Sequence, residues 1–167
     1  MGFQNNTAET EQILTENYER YYRLAYSYMR NKDDALDVVQ ESAYRAIRDC
    51  GKVKNKDYLS TWIYRIVVNT ALDMLRRKKK ENITEELPEI PVEDQYQDLE
   101  LRTVLNQLDD KSRTIILLRY FEDLKLEDIA DIVGDNLNTV KARLYRSLKK
   151  LRLNLEAEHY REIPDKS

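Results

Sequence analysis

The stretch Leu126-Glu-Asp-Ile-Ala-Asp-Ile-Val-Gly-Asp-Asn-Leu-Asn-Thr-Val-Lys-Ala-Arg-Leu-Tyr-Arg-Ser-Leu-Lys-Lys-Leu151 decides how the rest of the chain is read. Ala130, Gly134 and Val140 stand four and six residues apart. That spacing suits two crossing helices: a small side chain where the backbones approach, a glycine that permits the turn, and an apolar anchor on the second helix. It is a helix-turn-helix signature. The second helix carries Lys141, Arg143, Arg146, Lys149, Lys150 and Arg152 with no acidic residue among them, while its apolar stripe Val140, Leu144, Leu148, Leu151 and Leu155 faces the other way. Such a cationic face can enter a major groove and meet phosphates. Asn138, Thr139, Lys141 and Arg143, near the helix start, are the candidates for base edges, and Tyr145, Arg146, Lys149 and Lys150 follow on the same helix with the backbone in reach. The opposing reading is a solvated lysine-rich helix at a chain end. The turn signature favours nucleic-acid contact.

Working outward, the apolar periodicity continues upstream as Leu101, Val104 and Leu108, then Ile115, Leu118 and Phe121, then Leu126, Ile129 and Val133. With the basic helix these predict four helices over 99–156. Further back the pattern disappears between 81 and 98, where two prolines, Pro88 and Pro91, stand among Glu and Asp, and an extended tether is expected. Residues 12–80 read as three helices. Their stripes are Leu14, Tyr18, Tyr21, Ala25 and Tyr28; then Leu36, Val39, Ala43 and Ile47 after a cap at Asp33 or Asp34; then Leu59, Ile63, Ile66, Thr70 and Met74. The fold class is therefore all-α: two small helical domains joined by a flexible acidic linker. No repeat of fixed period links the two blocks.

Composition agrees. The chain has 167 residues, 41% hydrophobic and 35% charged, with only three glycines and three prolines, too few for a hairpin-rich β fold. The net charge of -3 is unevenly spread: Gln12 to Lys80 holds 15 basic and 9 acidic residues, Glu81 to Leu101 holds 8 acidic and no basic ones, and Arg102 to Glu156 holds 11 and 9. Two basic blocks flank an acidic strap. No run of apolar residues is long enough to span a membrane and no signal peptide is evident, so a soluble, cytoplasmic chain without direct membrane insertion is expected. One cysteine, Cys50, and one histidine, His159, supply neither an internal disulfide nor a histidine-rich metal site. There is no glycine-rich phosphate loop and no nucleophile with a nearby base. No catalytic residue, metal or cofactor is expected.

Two weaker features remain. Lys52, Lys54, Asn55 and Lys56 form a basic polar loop, Tyr58, Trp62 and Tyr64 add rings beside it, and Arg65, Asn69, Asp73, Arg76, Arg77 and Lys80 share the polar side of the next helix. Cations mixed with rings suit single-stranded nucleic acid, although a basic last turn also answers the helix dipole and Trp62 could belong to the core. Asp37, Gln40, Glu41, Arg45 and Arg48 lie on the outer face of the second helix, where a solvated surface is the simpler reading.

In this order the features resemble the extracytoplasmic-function sigma factors, two-domain bacterial initiation factors. The resemblance is carried by Tyr22-Arg-Leu-Ala-Tyr-Ser-Tyr-Met29, Asp34-Ala-Leu-Asp-Val-Val-Gln-Glu41, Thr61-Trp-Ile-Tyr-Arg-Ile-Val-Val-Asn-Thr-Ala-Leu-Asp-Met-Leu-Arg-Arg77 and Thr139-Val-Lys-Ala-Arg-Leu-Tyr-Arg146. Phe121-Glu-Asp-Leu-Lys-Leu-Glu-Asp-Ile-Ala130 is similar to the sigma-V type of Gram-positive bacteria. The resemblance implies that Asp37, Val38, Gln40, Glu41 and Arg45 dock on the clamp of the largest subunit of core RNA polymerase. It implies that the loop 52–57, with Tyr58, Trp62 and Arg65 nearby, receives a base flipped out of the promoter's minus-ten element, a step whose lost stacking a pocket must offset. Asn69, Asp73, Arg76 and Arg77 would hold the non-template strand, and the helix from Thr139 would read the minus-thirty-five duplex while its domain docks on the flap of the second large subunit. A membrane-bound anti-sigma protein is an implied partner. Lys125 stands where relatives carry a capping Ser or Thr, and Asn136-Leu-Asn138 replaces their commoner residues before Thr-Val. A stand-alone helix-turn-helix regulator, binding duplex operator without polymerase, is the alternative.

Overall fold

A computed structural model of the chain describes residues 2–81 and 99–162, with side chains described over 6–81 and 103–153. The expected tether lies outside the described residues, apart from Glu81. The chain divides into two compact units, Met1–Ile90 and Pro91–Ser167. No strand occurs among the described residues.

Among the described residues the first unit has four α-helices where the periodicity predicts three: α1 (Gly2–Glu16), α2 (Tyr18–Met29), α3 (Lys32–Asp49) and α4 (Leu59–Glu81). The stripe from Leu14 to Tyr28 is not one helix, because Asn17 interrupts it. Its side-chain Nδ2 and its backbone N–H both donate to the Ile13 carbonyl, at 2.9 and 3.0 Å. An amide side chain that competes for the local backbone acceptor favours a helix boundary over a helix interior. At the far end of α2, Arg30 takes φ +56° and donates to the Tyr26 carbonyl, which stops the helix. Asn31 follows and caps α3, accepting from the Asp34 N–H, so the cap stands ahead of the expected Asp33 or Asp34.

α3 is also rotated from its expected face. Ala35, Val38, Val39, Ser42 and Ala46 are buried, whereas Leu36 and Ala43 are only half-buried and Ile47 is exposed. Ala35, Ser42 and Ala46 are small, and they let α2 and α4 approach closely on that side. Against them pack Tyr21, Leu24, Ala25 and Tyr28 of α2 and Leu59, Ile63, Tyr64, Val67, Val68 and Ala71 of α4, with the Tyr21 and Tyr64 rings edge to face at 5.2 Å. Lys78 in the last turns of α4 pairs with Asp34 in the first turn of α3.

Among its described residues the second unit has four α-helices, as expected: α5 (Leu99–Asn106), α6 (Asp110–Ile116), α7 (Leu126–Val133) and α8 (Leu137–Glu162). α6 runs into a π-helical turn over Leu117–Phe121, and this wider turn leaves Phe121 exposed although its spacing places it in the core stripe. Val104, Leu108, Ile115, Leu118, Ile129, Ile132, Val140, Leu144 and Leu151 form the core. α7 ends at Gly134, whose φ of +77° lies in the left-handed region and whose N–H returns to the Ala130 carbonyl. Lys125 gives α7 no side-chain cap bond, whereas Asn136 caps α8, its Oδ1 accepting from the Thr139 N–H at 2.8 Å.

Asp109 caps α6 by accepting from the Ser112 N–H and also takes the Arg143 guanidinium at 3.0 Å. Its bonds to Ser112, followed by the charge and hydrogen bond of Arg143, hold its carboxyl below the ordinary 3.8 even against partial burial.

These turns set the stability of the second unit. A Cβ at Gly134 would meet nothing within 4 Å, so Gly134→Ala costs only left-handed backbone strain, about 1 kcal/mol, and lowers the melting temperature without altering the helical signal. Asp109→Ala costs about 1 kcal/mol from the lost cap, read as a drop of about 4–8 °C in the melting of a unit this size. Because the folded pKa of Asp109 is lowered, its contribution is present at neutral pH and fades as pH falls below 3.8. Urea melts of Asp109→Ala and the parent chain should therefore converge in acid.

Candidate nucleic-acid interface

α8 presents its charged side because Val140, Leu144, Ser147 and Leu151 are buried at helical spacing. Asn138, Lys141, Tyr145, Arg146 and Lys149 are exposed on the opposite side, with Tyr145 at 66% relative exposure, while Thr139 in the first turn is half-buried. Among the described residues no ion pair engages Lys141, Arg146 or Lys149, so their charge is available to a polyanion.

Arg143 departs from expectation. It is half-buried and its guanidinium turns back to Asp109, so its place is at the seam of α8 with the start of α6 rather than among the outward base readers. Lys150 is exposed, but its ammonium reaches the Gln107 carbonyl at 3.2 Å. The two border a cavity of about 400 Å³ whose walls include Ser112, Arg146 and Ser147.

In the first unit, α3 and α4 are joined by a loop built as two 3₁₀ turns, Cys50–Lys52 and Lys56–Tyr58. Lys52, Lys54, Asn55 and Lys56 are all exposed at its rim. Asn55 shapes it by accepting from the Asp57 N–H at 3.0 Å. Lys52 leans toward Asp49 at 3.5 Å and Lys56 toward Glu9 at 3.3 Å, contacts too exposed to hold either cation firmly. The inner side of the loop is apolar: Cys50, Val53 and Leu59 are buried, and Ile13, Tyr58 and Trp62 pack on them while remaining half-exposed. Tyr58 and Trp62 thus serve core and surface at once, whereas Tyr64 is buried in the main core and is not a platform.

Arg65, Asn69, Arg76 and Arg77 are exposed along α4. Asp73, between them, lies 3.6 Å from Arg76 and 3.6 Å from Arg45 of α3, and its charge locally offsets theirs. On α3, Asp37, Gln40 and Glu41 are exposed as expected. Val38 is not: at 0% exposure it belongs to the core, because the rotation of α3 turns it inward. Arg45 is only partly available, since its Nε donates to Glu41 at 3.0 Å and its Nη1 reaches Thr70 at 3.3 Å. The periodicity misses that Tyr44 and Ile47, at 60% and 40% exposure, extend this face by a turn, with the Arg48 guanidinium 5.4 Å from the Tyr44 ring centre. Bonds to Arg48 hold the Asp49 carboxyl below its ordinary range.

Among the described residues no group of three or more His, Cys, Asp or Glu could hold a metal ion, and none of the described helices is long and apolar enough to cross a membrane. What the two units offer is a set of charged and aromatic surfaces on rigid helices.

Known proteins share this sequence pattern and fold. Residues 13–81 match the family described as Sigma-70 region 2, and residues 98–151 match Sigma-70, region 4. The chain is 47% identical over 149 residues to RNA polymerase sigma factor SigV of Bacillus subtilis, covering 87% of this chain and 90% of that protein. It is 32% identical over 156 residues to ECF RNA polymerase sigma factor SigW of the same organism, covering 82% and 83%. Two solved structures share the fold: the sigma factor RpoE in complex with the anti-sigma factor NepR from Bartonella quintana, with TM-score 0.74 and 24% identity over 89% of this chain and 97% of that one, and CnrH in complex with the cytosolic domain of CnrY, with TM-score 0.70 and 21% identity over 93% of each. The two family matches in chain order, together with the two Bacillus relatives, establish that the chain belongs to the extracytoplasmic-function family of RNA polymerase sigma factors.

Proposed function

We propose that the chain gives core RNA polymerase its promoter specificity in the bacterial cytoplasm, with the first unit docking on the polymerase clamp and opening the minus-ten element and the second reading the minus-thirty-five duplex and docking on the flap. The observation that carries this reading is the outward face of α8, where Lys141, Tyr145, Arg146 and Lys149 stand exposed opposite the buried stripe of a helix-turn-helix. Lys141 and Arg146 suit base edges and phosphates, and Tyr145 suits apolar contact in the groove. Asp37, Gln40 and Glu41 supply an acidic, polar docking face, extended by Tyr44 and Ile47.

Strand opening by such a protein needs no bond chemistry. Cations at Lys52, Lys54 and Lys56, with the edges of Tyr58 and Trp62, favour exposed bases and their backbone over the closed duplex, so binding shifts the opening equilibrium. Each unit alone offers few contacts. Polymerase makes the two act together, because the second contact becomes intramolecular once the first has formed. The sigma factor RpoE, solved in complex with the anti-sigma factor NepR, supports an inhibitor of that class here, and a membrane-bound protein that masks these faces is the form we propose.

Reconstituted with core polymerase, the chain should initiate from a defined promoter set that core enzyme alone ignores, and equal start sites with and without it would refute the reading. Arg146→Ala should weaken binding of the minus-thirty-five duplex by the holoenzyme about tenfold with little change in melting temperature. Arg143→Ala should do the reverse, lowering the melting temperature more than the affinity, because its guanidinium is engaged by Asp109. Asp37→Arg, on an exposed site, should weaken association with core polymerase about tenfold or more in a co-purification titration while leaving the fold intact.

A further inference from the structure

The loop over Cys50–Tyr58 is not shaped by its own flanking helices alone. Asn6, buried near the start of α1, donates from Nδ2 to the carbonyl oxygens of both Cys50 and Val53, at 3.0 and 2.9 Å. Those two carbonyls bracket the first 3₁₀ turn, which closes with the Val53 N–H donating to Cys50 at 3.1 Å. Further contacts run along the same side of α1: Thr7 Oγ1 lies 3.8 Å from Cys50 Sγ, Glu9 pairs with Lys56, and Ile13 packs on the cluster of Cys50, Val53 and Leu59. The loop therefore rests on α1 from one end to the other.

A carboxamide fits this task for a chemical reason. Its NH₂ group carries two donors, and here each meets one buried carbonyl. An aspartate of the same shape would turn acceptors toward acceptors, and any residue without donors would leave the Val53 carbonyl without this partner. Asn6 also lies before the stretch, 13–81, that matches sigma region 2. It belongs to a part of the chain that the motifs do not mark.

We propose that Asn6 is a positioning residue for promoter reading: through its paired carbonyl bonds α1 sets the loop conformation in which Lys52, Lys54, Asn55 and Lys56 meet the flipped base. This rests on the reading of that loop as the minus-ten receptor. The test uses the full chain with core polymerase, comparing the parent, Asn6→Asp and the rim variant Asn55→Ala/Lys56→Ala on the target promoter and on one altered at a single minus-ten base.

For Asn6→Asp, amide exchange across 51–57 should rise about tenfold and the preference for the native base should fall about tenfold, with core association unchanged. Equal loss on both promoters would reduce Asn6 to a purely structural role and overturn the proposal, as would unchanged amide exchange. If the rim variant loses the preference while Asn6→Asp keeps it, positioning is wrong and the loop reading stands. If the rim variant keeps the preference, the loop reading falls and positioning falls with it. Should Asn6→Asp not fold, Asn6→Ala removes the donors without adding charge and is expected to change exchange and preference in the same direction.

Discussion

A helix can keep only one stripe of its surface dry, and in this chain that constraint decides which side chains are left for partners. On α8 the burial of Val140, Leu144 and Leu151 sends Lys141, Tyr145, Arg146 and Lys149 outward. On α3 the burial of Ala35, Val38 and Ala46 sends Asp37, Gln40, Glu41 and Tyr44 outward. With neither a strand nor a disulfide among the described residues to orient the helices, the apolar seam does so. A one-residue change in which stripe is buried would turn a helix by about 100° and offer a different set of charges.

This is also why some of the molecule is legible in the sequence and some is not. The helix-turn-helix of the second unit is legible, because rows such as Val140, Leu144 and Leu151 keep an unambiguous helical spacing and because Gly134 marks its turn by a conformation that glycine accepts cheaply. α3 is harder. Leu36 and Ile47 are more apolar than Ala35 and Ala46, so hydrophobicity alone favours the wrong face; close helix approach selects the smaller residues, and that preference depends on α2 and α4, which a single helix does not reveal. The same rotation turns Val38 into the core, away from the face on which docking is expected. Phe121 escapes the core row because a π turn breaks the 3.6 period that spacing assumes.

Polar anchors are the least visible. Arg143 belongs by sequence to a row of cations, and only the arrival of Asp109, 34 positions away, separates it from Arg146. Asn6 has no local signal at all, since its two acceptors lie 44 and 47 residues further on. Asn136 does carry one: an Asn three residues before Thr139, at the start of an apolar row, is an ordinary helix cap. Long-range polar contacts of this kind carry no periodicity, which is why a charge or amide that holds the structure together resembles one that waits for a partner.

The junction between α2 and α3 has a mechanical consequence. Met29 ends one helix and Lys32 begins the next, so only Arg30 and Asn31 connect them, the first bent into a left-handed conformation and the second engaged as a cap. So short a connector has no slack to absorb displacement. The crossing of α3 on α2 is therefore tied to the backbone geometry of two residues as well as to the packing of their faces.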